Sequence, residues 1–410
     1  MADTDAPELR PPTADELPAF LRCLEAAFGE DASDAEVERF RQVAELDRFL
    51  GLFAPDGAIV GTAGAYSFDL SVPGAPPAPC AGVTVVSVRA DHRRRGFLTR
   101  LMTAVLDQAD ARGEPFAALW ASESGIYGRY GFGPAIPTSR LELPRDRSAF
   151  RADVEADTRS VQLVDAAEAL AACPQVREAA RAQRSGMLSR PDAWWRSWLE
   201  HDPSEGRDGA GPRRHAVIPG RGYAIHRLKP AWDHIAPDGT VVVEELVATD
   251  PAAHAALWRF LLDTDLSART RASERPVDDV LPLLVAEPAH VRVTAGAPVY
   301  LRLVDLPAAL TTRRYEGSDR LVIEVRDASR PRNAGRWSLS VVDGAATCER
   351  VEAAADLLVD TADLATVLLG GVRTTRLAAA GLIDAPVPDA AARLDRLVAT
   401  DLAPWHTGMF

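Results

Sequence analysis

Cysteine is scarce in this chain: Cys23, Cys80, Cys173 and Cys348 are the only four in 410 residues, and no two form a Cys-x-x-Cys pair. That spacing excludes a disulfide framework and a zinc knuckle, and no metal site is expected. No apolar run is long enough to span a bilayer. The opening "MADTDAPELRPP" is acidic and proline-rich, unlike a signal peptide. A cytoplasmic protein with no membrane partner is the expectation. Positive charge is also short. Lys and Arg total 46 against 59 Asp and Glu, a net charge of −13. This argues against a nucleic-acid partner held through phosphates and is compatible with a cationic ligand.

What the chain does have is a globular composition, 47% hydrophobic and 26% charged, at a length too great for one ordinary domain. After a loose first dozen residues, "ELPAFLRCLEAAF" predicts an amphipathic helix over 16–28. "SDAEVERFRQVAEL" predicts a second, with Ser33 as N-cap and Glu36 three residues on. "RFLGLFA" and "AIVGTAGAYSFDL" read as strands around the turn "PDG". "GVTVVSV" reads as a central strand buried on both faces. "FAALWAS" is another buried strand, and "GIYGRYGFGPA" a short helix and turn. In the middle of the chain, "GYAIHRL", "VVVEELV" and the helix in "ATDPAAHAALWRFLLDTD" echo that strand–turn–helix order, with Asp250 as cap and Pro251 first in the helix. "DDVLPLLVAE" is expected to be a strand, "LVIEVRDA" and "GRWSLSVVDG" strands of a meander, and "DTADLATVLLGG" a capped helix. Trp194, Trp195 and Trp198 have helical spacing and read as core. Composition and pattern shift near 145 and 297, so the expected domains are 1–145, 146–296 and 297–410.

The strongest local signal is "VTVVSVRADHRRRGFLTRLM". A buried strand runs into a basic, glycine-containing turn that opens a helix. The first helical turn leaves its N–H groups without intrahelical partners, and the helix dipole adds positive character there. A pyrophosphate fits such a place. Gly96 lets a ligand approach the backbone, and Arg93, Arg94 and Arg95 can add charge-assisted bonds. On spacing alone, a solvated basic turn capping an ordinary helix is an equal reading.

The Arg-x-x-Gly turn after a Val-x-Val strand resembles the coenzyme A site of GCN5-related N-acetyltransferases. The longer "SVRADHRRRG", with "ASESGIYGRYGFGPA" downstream, is similar to the enhanced intracellular survival (Eis) family of actinobacterial acetyltransferases. The central echo resembles that family's second acetyltransferase-like domain, and "VYLRLVDLPAAL" onward its sterol-carrier-like domain. The implied fold class is α+β: two GCN5-related domains followed by a sterol-carrier-like α/β domain. The implied activity is transfer of acetyl from acetyl-CoA to a primary amine, on an aminoglycoside or other amine antibiotic or on a lysine side chain, by an enzyme assembled as a hexamer. By the same resemblance, Val86 and Val88 bond the pantetheine arm through their backbones. Arg93, Arg94 and Gly96 hold the pyrophosphate, and Ser122 lines the cofactor channel. Tyr127 is the general acid, the carboxylate of Phe410 the general base, and Glu30 an acidic substrate-pocket position.

Two positions depart from the family pattern. Met409 stands where a Glu precedes the terminal Phe, and Trp120 where a His lies two residues before Ser122. Both changes remove polarity from the expected amine pocket. The chemistry asks for loss of an amine proton, donors for an oxyanion and stabilisation of the leaving thiolate. A phenol near pKa 10 can protonate a thiolate near 8.5 at a cost of about 2 kcal/mol. Other readings stand beside these: Tyr127 as core aromatic, Phe410 as packing plug, Glu30 as a solvated helix-end charge. None of the eight histidines reads as catalytic. No cysteine falls in either motif, which favours direct transfer, although Cys23 on the first helix keeps an acetyl-enzyme open. "ATDPAAHAAL" stands where the second domain would need its phosphate-binding turn, so that domain is expected to bind no cofactor. The alternative from another class is a lipid or sterol carrier, or a non-catalytic interaction protein, using the acetyltransferase fold as scaffold.

Overall fold

The computed structural model describes residues 6–410. The chain divides into two compact units. One holds the chain through Ala135 together with Val299–Thr400 and Phe410; the other holds Ile136–Pro298 and Asp401–Met409.

The first unit opens with β1 (Glu8–Arg10), paired antiparallel with β2 (Phe49–Phe53). The expected loose first dozen residues are therefore corrected for Glu8 onward, while residues 1–5 lie outside the described residues. Arg10 ties this entry down by lying 3.5 Å over the Phe53 ring and pairing with Glu16 at 2.7 Å. Helix α1 (Leu17–Phe28) buries Leu17, Phe20, Leu21 and Leu24 on one face and stops at Gly29, whose φ of 81° suits glycine. Helix α2 (Asp34–Val43) starts with the expected Ser33–Glu36 capping box. Strand β3 (Ile59–Leu70) pairs with β2, and β4 (Ala78–Val88) with β3. Helix α3 (Phe97–Ala111) then crosses over to β5 (Phe116–Trp120), which lies parallel to β4. Helix α4 (Ser124–Tyr127) and β6 (Gly133–Ile136) follow. The core between sheet and α3 is built from Leu52, Val60, Val83, Leu101, Met102, Val105 and Leu119.

The second unit runs through β7 (Thr138–Pro144), β8 (Gln162–Val164), α5 (Ala166–Gln183), α6 (Asp192–Leu199), β9 (Arg214–Ile218) and β10 (Gly222–Lys229). A small hairpin, β11 (Trp232–Asp233) and β12 (Ala236–Pro237), leads to β13 (Gly239–Ala248), α7 (Pro251–Leu262) and β14 (Ser267–Pro276). It ends with α8 (Leu281–Leu284) and β15 (Arg292–Ala295). Its sheet order is β15-β7-β14-β13-β10-β9-β8. The strand expected over "DDVLPLLVAE" is a short helix instead. Asp279 accepts the Leu281 N–H at 2.9 Å, which starts a turn, and Pro282 has no N–H for a ladder. The Trp cluster sits on α6, with Trp195 in the core and Trp194 and Trp198 half-buried.

The remaining segment begins with β16 (Val299–Leu303), which inserts beside β5 in the first unit's sheet, giving the order β1-β2-β3-β4-β5-β16-β6. After α9 (Leu306–Thr311) come β17 (Asp319–Arg326), β18 (Gly335–Val342), β19 (Ala345–Arg350) and β20 (Leu357–Asp360), a four-stranded sheet. Strand β20 joins it parallel to β17. Helices α10 (Thr361–Leu368), α11 (Thr374–Ala379) and α12 (Ala390–Leu397) complete the unit. Asp360 occupies the cap position of α10, but its carboxylate pairs with Arg326 at 3.0 Å rather than capping.

Candidate active site

The site begins with a failure of strand pairing. β4 and β5 are hydrogen-bonded only over Cys80–Gly82 against Phe116–Ala118. On its other edge β4 stays paired with β3 as far as Val88. From Val83 on, the β5-side edge of β4 therefore has no ladder partner among the described residues. A bulge accompanies the divergence. The β3–β4 register shifts between Thr62 and Gly64, and Val85 takes a φ of 51°, which costs a β-branched residue energy. Thr62 holds it there. Its hydroxyl donates to the Val85 carbonyl at 2.6 Å, which leaves the Ser87 hydroxyl to donate back to Thr62 at 2.7 Å.

The divergence opens a cleft of about 670 Å³, lined by Val86, Val88, Gly96, Phe97, Ser122, Ile126 and Tyr127 among others. Arg93 and Arg94 stand on its rim, exposed. Asp91 pairs with Arg89 at 2.7 Å, and among the described residues neither Arg93 nor Arg94 has a carboxylate partner. Arg94 (φ 61°) and Gly96 (φ 78°) turn the chain into α3. A Cβ on Gly96 meets nothing within 4 Å, so the space beside it is open. The turn thus offers an anion two guanidinium groups and the free N–H groups of a helix start.

Tyr127 closes α4 and is 6% exposed. Burial raises its phenol pKa, while a hydrogen bond with Ser122 acts the other way. The ring meets Phe132 edge-on, with centroids 6.3 Å apart. Tyr130, also in the cleft, exchanges a hydrogen bond with Thr99 on α3 at 3.2 Å. Cys23 is buried, and burial pushes its thiol up, with Ser87 as hydrogen-bond partner. A thiol that holds its proton is a poor nucleophile, which disfavours an acetyl-enzyme there.

Seven of the expected residues therefore share one cleft: Val86, Val88, Arg93, Arg94, Gly96, Ser122 and Tyr127. The other four lie outside its lining. Glu30 is exposed just beyond α1, whose Ala27 and Phe28 do line the cleft. Its neighbour Glu25 has a raised pKa through burial and then the negative charge of Glu30 and Glu36. Trp120 ends β5, half-buried and paired with Val299. Met409 belongs to the second unit and is 72% exposed. Phe410 packs edge-on against Phe68 at 5.3 Å. A Cβ on Gly82 would run into the Phe68 ring, so that strand position needs glycine, and the Phe410 ring lies 3.2 Å from the same point. Sequence reasoning missed the Thr62–Ser87 lock, Phe97 and Tyr130. Only Tyr130 had a signal, its spacing of three from Tyr127.

A parallel strand pair splayed at a bulge, with an arginine-flanked helix start at its mouth, defines the GCN5-related class of acetyltransferases. Residues 8–135 and 186–303 each match an acetyltransferase (GNAT) domain, and 306–407 a sterol carrier protein domain. An uncharacterized N-acetyltransferase of Streptomyces coelicolor is 42% identical over 95% of this chain and 96% of its own. The N-acetyltransferase Eis of Mycobacterium bovis is 33% identical, with 95% and 96% covered. The crystal structure of Eis1 from Mycobacterium abscessus superposes with a TM-score of 0.87 at 34% identity, covering 98% of this chain and all of that one. The chain belongs to the Eis family of N-acetyltransferases, and its acetyl donor is acetyl-CoA. The cleft fits that donor: an unpaired strand edge for the pantetheine amides and an anion-ready helix start for the diphosphate.

Proposed function

We propose that the chain moves acetyl from acetyl-CoA directly to a primary amine of a cationic substrate, an aminoglycoside or other amine antibiotic or a lysine side chain. The observation that carries the reading is Tyr127, a buried phenol hydrogen-bonded with Ser122 inside the cleft formed by splayed β4. Val86 and Val88 bind the pantetheine arm through their backbones, and Arg93, Arg94 and Gly96 the diphosphate. Ser122 orients the phenol. Tyr127 keeps its proton at neutral pH and delivers it to the departing sulfur. The Phe410 carboxylate takes the amine proton; support comes from its ring, seated on Phe68 beside Gly82 of β4. Glu30, Trp120 and Met409 bound the amine pocket, and the net charge of −13 favours a cation. The enzyme works as a cytoplasmic hexamer of three-domain chains, divided near 145 and 297, with one acetyl-CoA per chain in the first domain.

Incubating the protein with acetyl-CoA, a thiol reagent and a panel of polyamines, aminoglycosides and lysine peptides tests this. Amine-dependent thiol release is expected. Acetyl-CoA binding without release for any amine overturns the substrate reading.

A further inference from the structure

The central echo extends further than its sequence. β13 corresponds to β4: it pairs in parallel with β14 only over Gly239–Val243, and its register with β10 shifts between Ile225 and His226. Beyond Val243 the two strands diverge, as β4 and β5 do. The slot so made is not open. Leu246, Val247 and His254 line it, with Arg275 on the far side, and Leu402 and Trp405 lie in it, leaving about 130 Å³. We infer that this second cofactor-type groove is the receptor for the chain's own C-terminal segment, and that Trp405 and His406 are positioning residues for Phe410. The positioning role rests on the proposed function of Phe410; the receptor role does not.

The groove has no place left for a diphosphate. Between β13 and α7 stand only Thr249 and Asp250, where the first unit has the basic turn of residues 89–96. The Asp250 carboxylate already accepts the Ala253 N–H of the helix start at 2.9 Å. Its arginines are paired as well: Arg184 with Asp278 at 2.8 Å, Arg190 with Glu245 at 2.9 Å, and Arg275 with Asp279 at 2.7 Å.

The same groove holds the segment along its length. Ala403 N–H donates to Asp278 at 2.9 Å, and Trp405 N–H to the Ser185 carbonyl at 2.9 Å. The Trp405 indole donates to the Glu274 carbonyl at 2.6 Å, with Arg275 over its ring at 5.2 Å. His406 Nδ1 accepts the Leu188 N–H at 3.2 Å, so its proton sits on Nε2 and is donated to the Gly408 carbonyl at 3.0 Å. Gly408 N–H donates to the Glu274 carboxylate at 2.8 Å, and Arg190 to the Thr407 carbonyl at 3.3 Å. Trp405, His406 and Thr407 are each at most 5% exposed. Gly186 leaves room for them: a Cβ there would come within 3.0 Å of Pro404 and the Trp405 nitrogen. The chain is therefore fixed through Gly408, and Phe410 follows two residues on. A base at the end of a fixed tether has less conformational freedom to lose before it acts than one at the end of a loose tail.

Trp405→Ala in the full chain tests this, with amide hydrogen exchange of residues 403–408 and steady-state kinetics read together. Expected are at least about tenfold faster exchange, a fall in kcat of about 10²-fold and an unchanged KM for acetyl-CoA, with Trp405→Phe restoring most of the rate. If Trp405→Ala does not fold, Gly408→Pro carries the test: it removes the N–H bonded to Glu274, cannot adopt the φ of 88°, and sets a Cβ 2.7 Å from the Arg190 guanidinium, so the tail has to leave its seat. Unchanged protection in the variant tested overturns the receptor. Lost protection with unchanged kcat overturns the positioning role. A one-residue extension after Phe410 separates the two readings. If it leaves turnover intact, the base assignment and the positioning role fail together, while the exchange data still judge the groove.

Discussion

A phenol that acts as an acid has to keep its proton until the sulfur departs. Burial raises the Tyr127 pKa, so its stabilising effect is full below the ordinary value near 10 and is lost only as pH rises through the folded value. Tyr127 therefore contributes no falling limb to a pH–rate profile below about pH 10. Tyr127→Phe keeps the ring and removes the proton. Turnover is expected to fall about 10²–10⁴-fold with acetyl-CoA affinity intact; a loss under about tenfold would mark the ring as packing. At Gly96 the expected defect is in binding. Its φ of 78° strains a β-branched residue, and the added carbons project into open cleft. Gly96→Val should weaken acetyl-CoA binding at least about tenfold in calorimetry, or about 1.4 kcal/mol. Unchanged affinity in a folded variant would sink the diphosphate assignment.

The cleft is a property of elements as much as of residues. It exists because β4 bulges away from β5, and the bulge is held by one hydroxyl, Thr62. Thr62→Val keeps the shape and leaves the Val85 carbonyl without that donor. The expected cost is about 1–3 kcal/mol of stability. Weaker acetyl-CoA binding should accompany it, because the Val86 and Val88 edge loses its fixed direction. Thermal unfolding and calorimetry on the same samples check this, and a variant with wild-type melting and affinity would show that the sheet sets the bulge unaided. The helices behave more locally. Ser33–Glu36 caps α2 as its spacing implies, whereas at α10 a nearby Arg326 takes the Asp360 carboxylate and the cap bond is not made. In "DDVLPLLVAE" the apolar run was read as a strand, and Asp279 and Pro282 tip it to a helical turn instead.

At the scale of the whole molecule, the buried histidines of the second unit set an acid limit. Burial lowers His226 and His254 to about 4, and for His254 the charges of Arg275 and Arg184 add to this while Asp279 opposes it. Burial also holds His406 well below the ordinary histidine value, with Arg177 and Arg190 adding to it. The unfolded chain takes these protons near pH 6.5. The stability is therefore present above about 6.5 and is lost as pH falls toward 4, by up to a few kcal/mol per residue. Urea midpoints at about pH 7.5 and pH 5 should differ accordingly. His254→Asn should shallow the difference, and an identical slope would remove His254 from the account. The terminus makes a second prediction for the whole chain. One residue added after Phe410 converts its carboxylate to an amide, and turnover should drop about 10²–10⁴-fold. The same addition before Met1 should leave turnover unchanged, and equal rates in the two proteins would leave the site without this base.

Sequence alone was enough for whatever is decided within a few neighbouring residues. The strand–turn–helix around Gly96, the Ser33 cap, the Asp250–Pro251 start and the one-sided apolar face of α3 are all short-range features, and each was legible. The seven cleft residues fall in two short motifs, and it was the resemblance of those motifs to a known family, not their spacing alone, that picked them out. The tertiary structure decided what depends on pairing between distant segments. β16 joins β5 across nearly 180 residues of chain, β4 parts from β5 beyond Gly82, and Thr62 locks a bulge on a different strand. "ATDPAAHAAL" could be read as lacking a phosphate turn, but not as the start of a helix whose groove receives residues 402–408. Such contacts form only when the chain closes on itself, and the residues that make them, a threonine, a tryptophan and a histidine, look ordinary until their partners arrive from elsewhere in the fold.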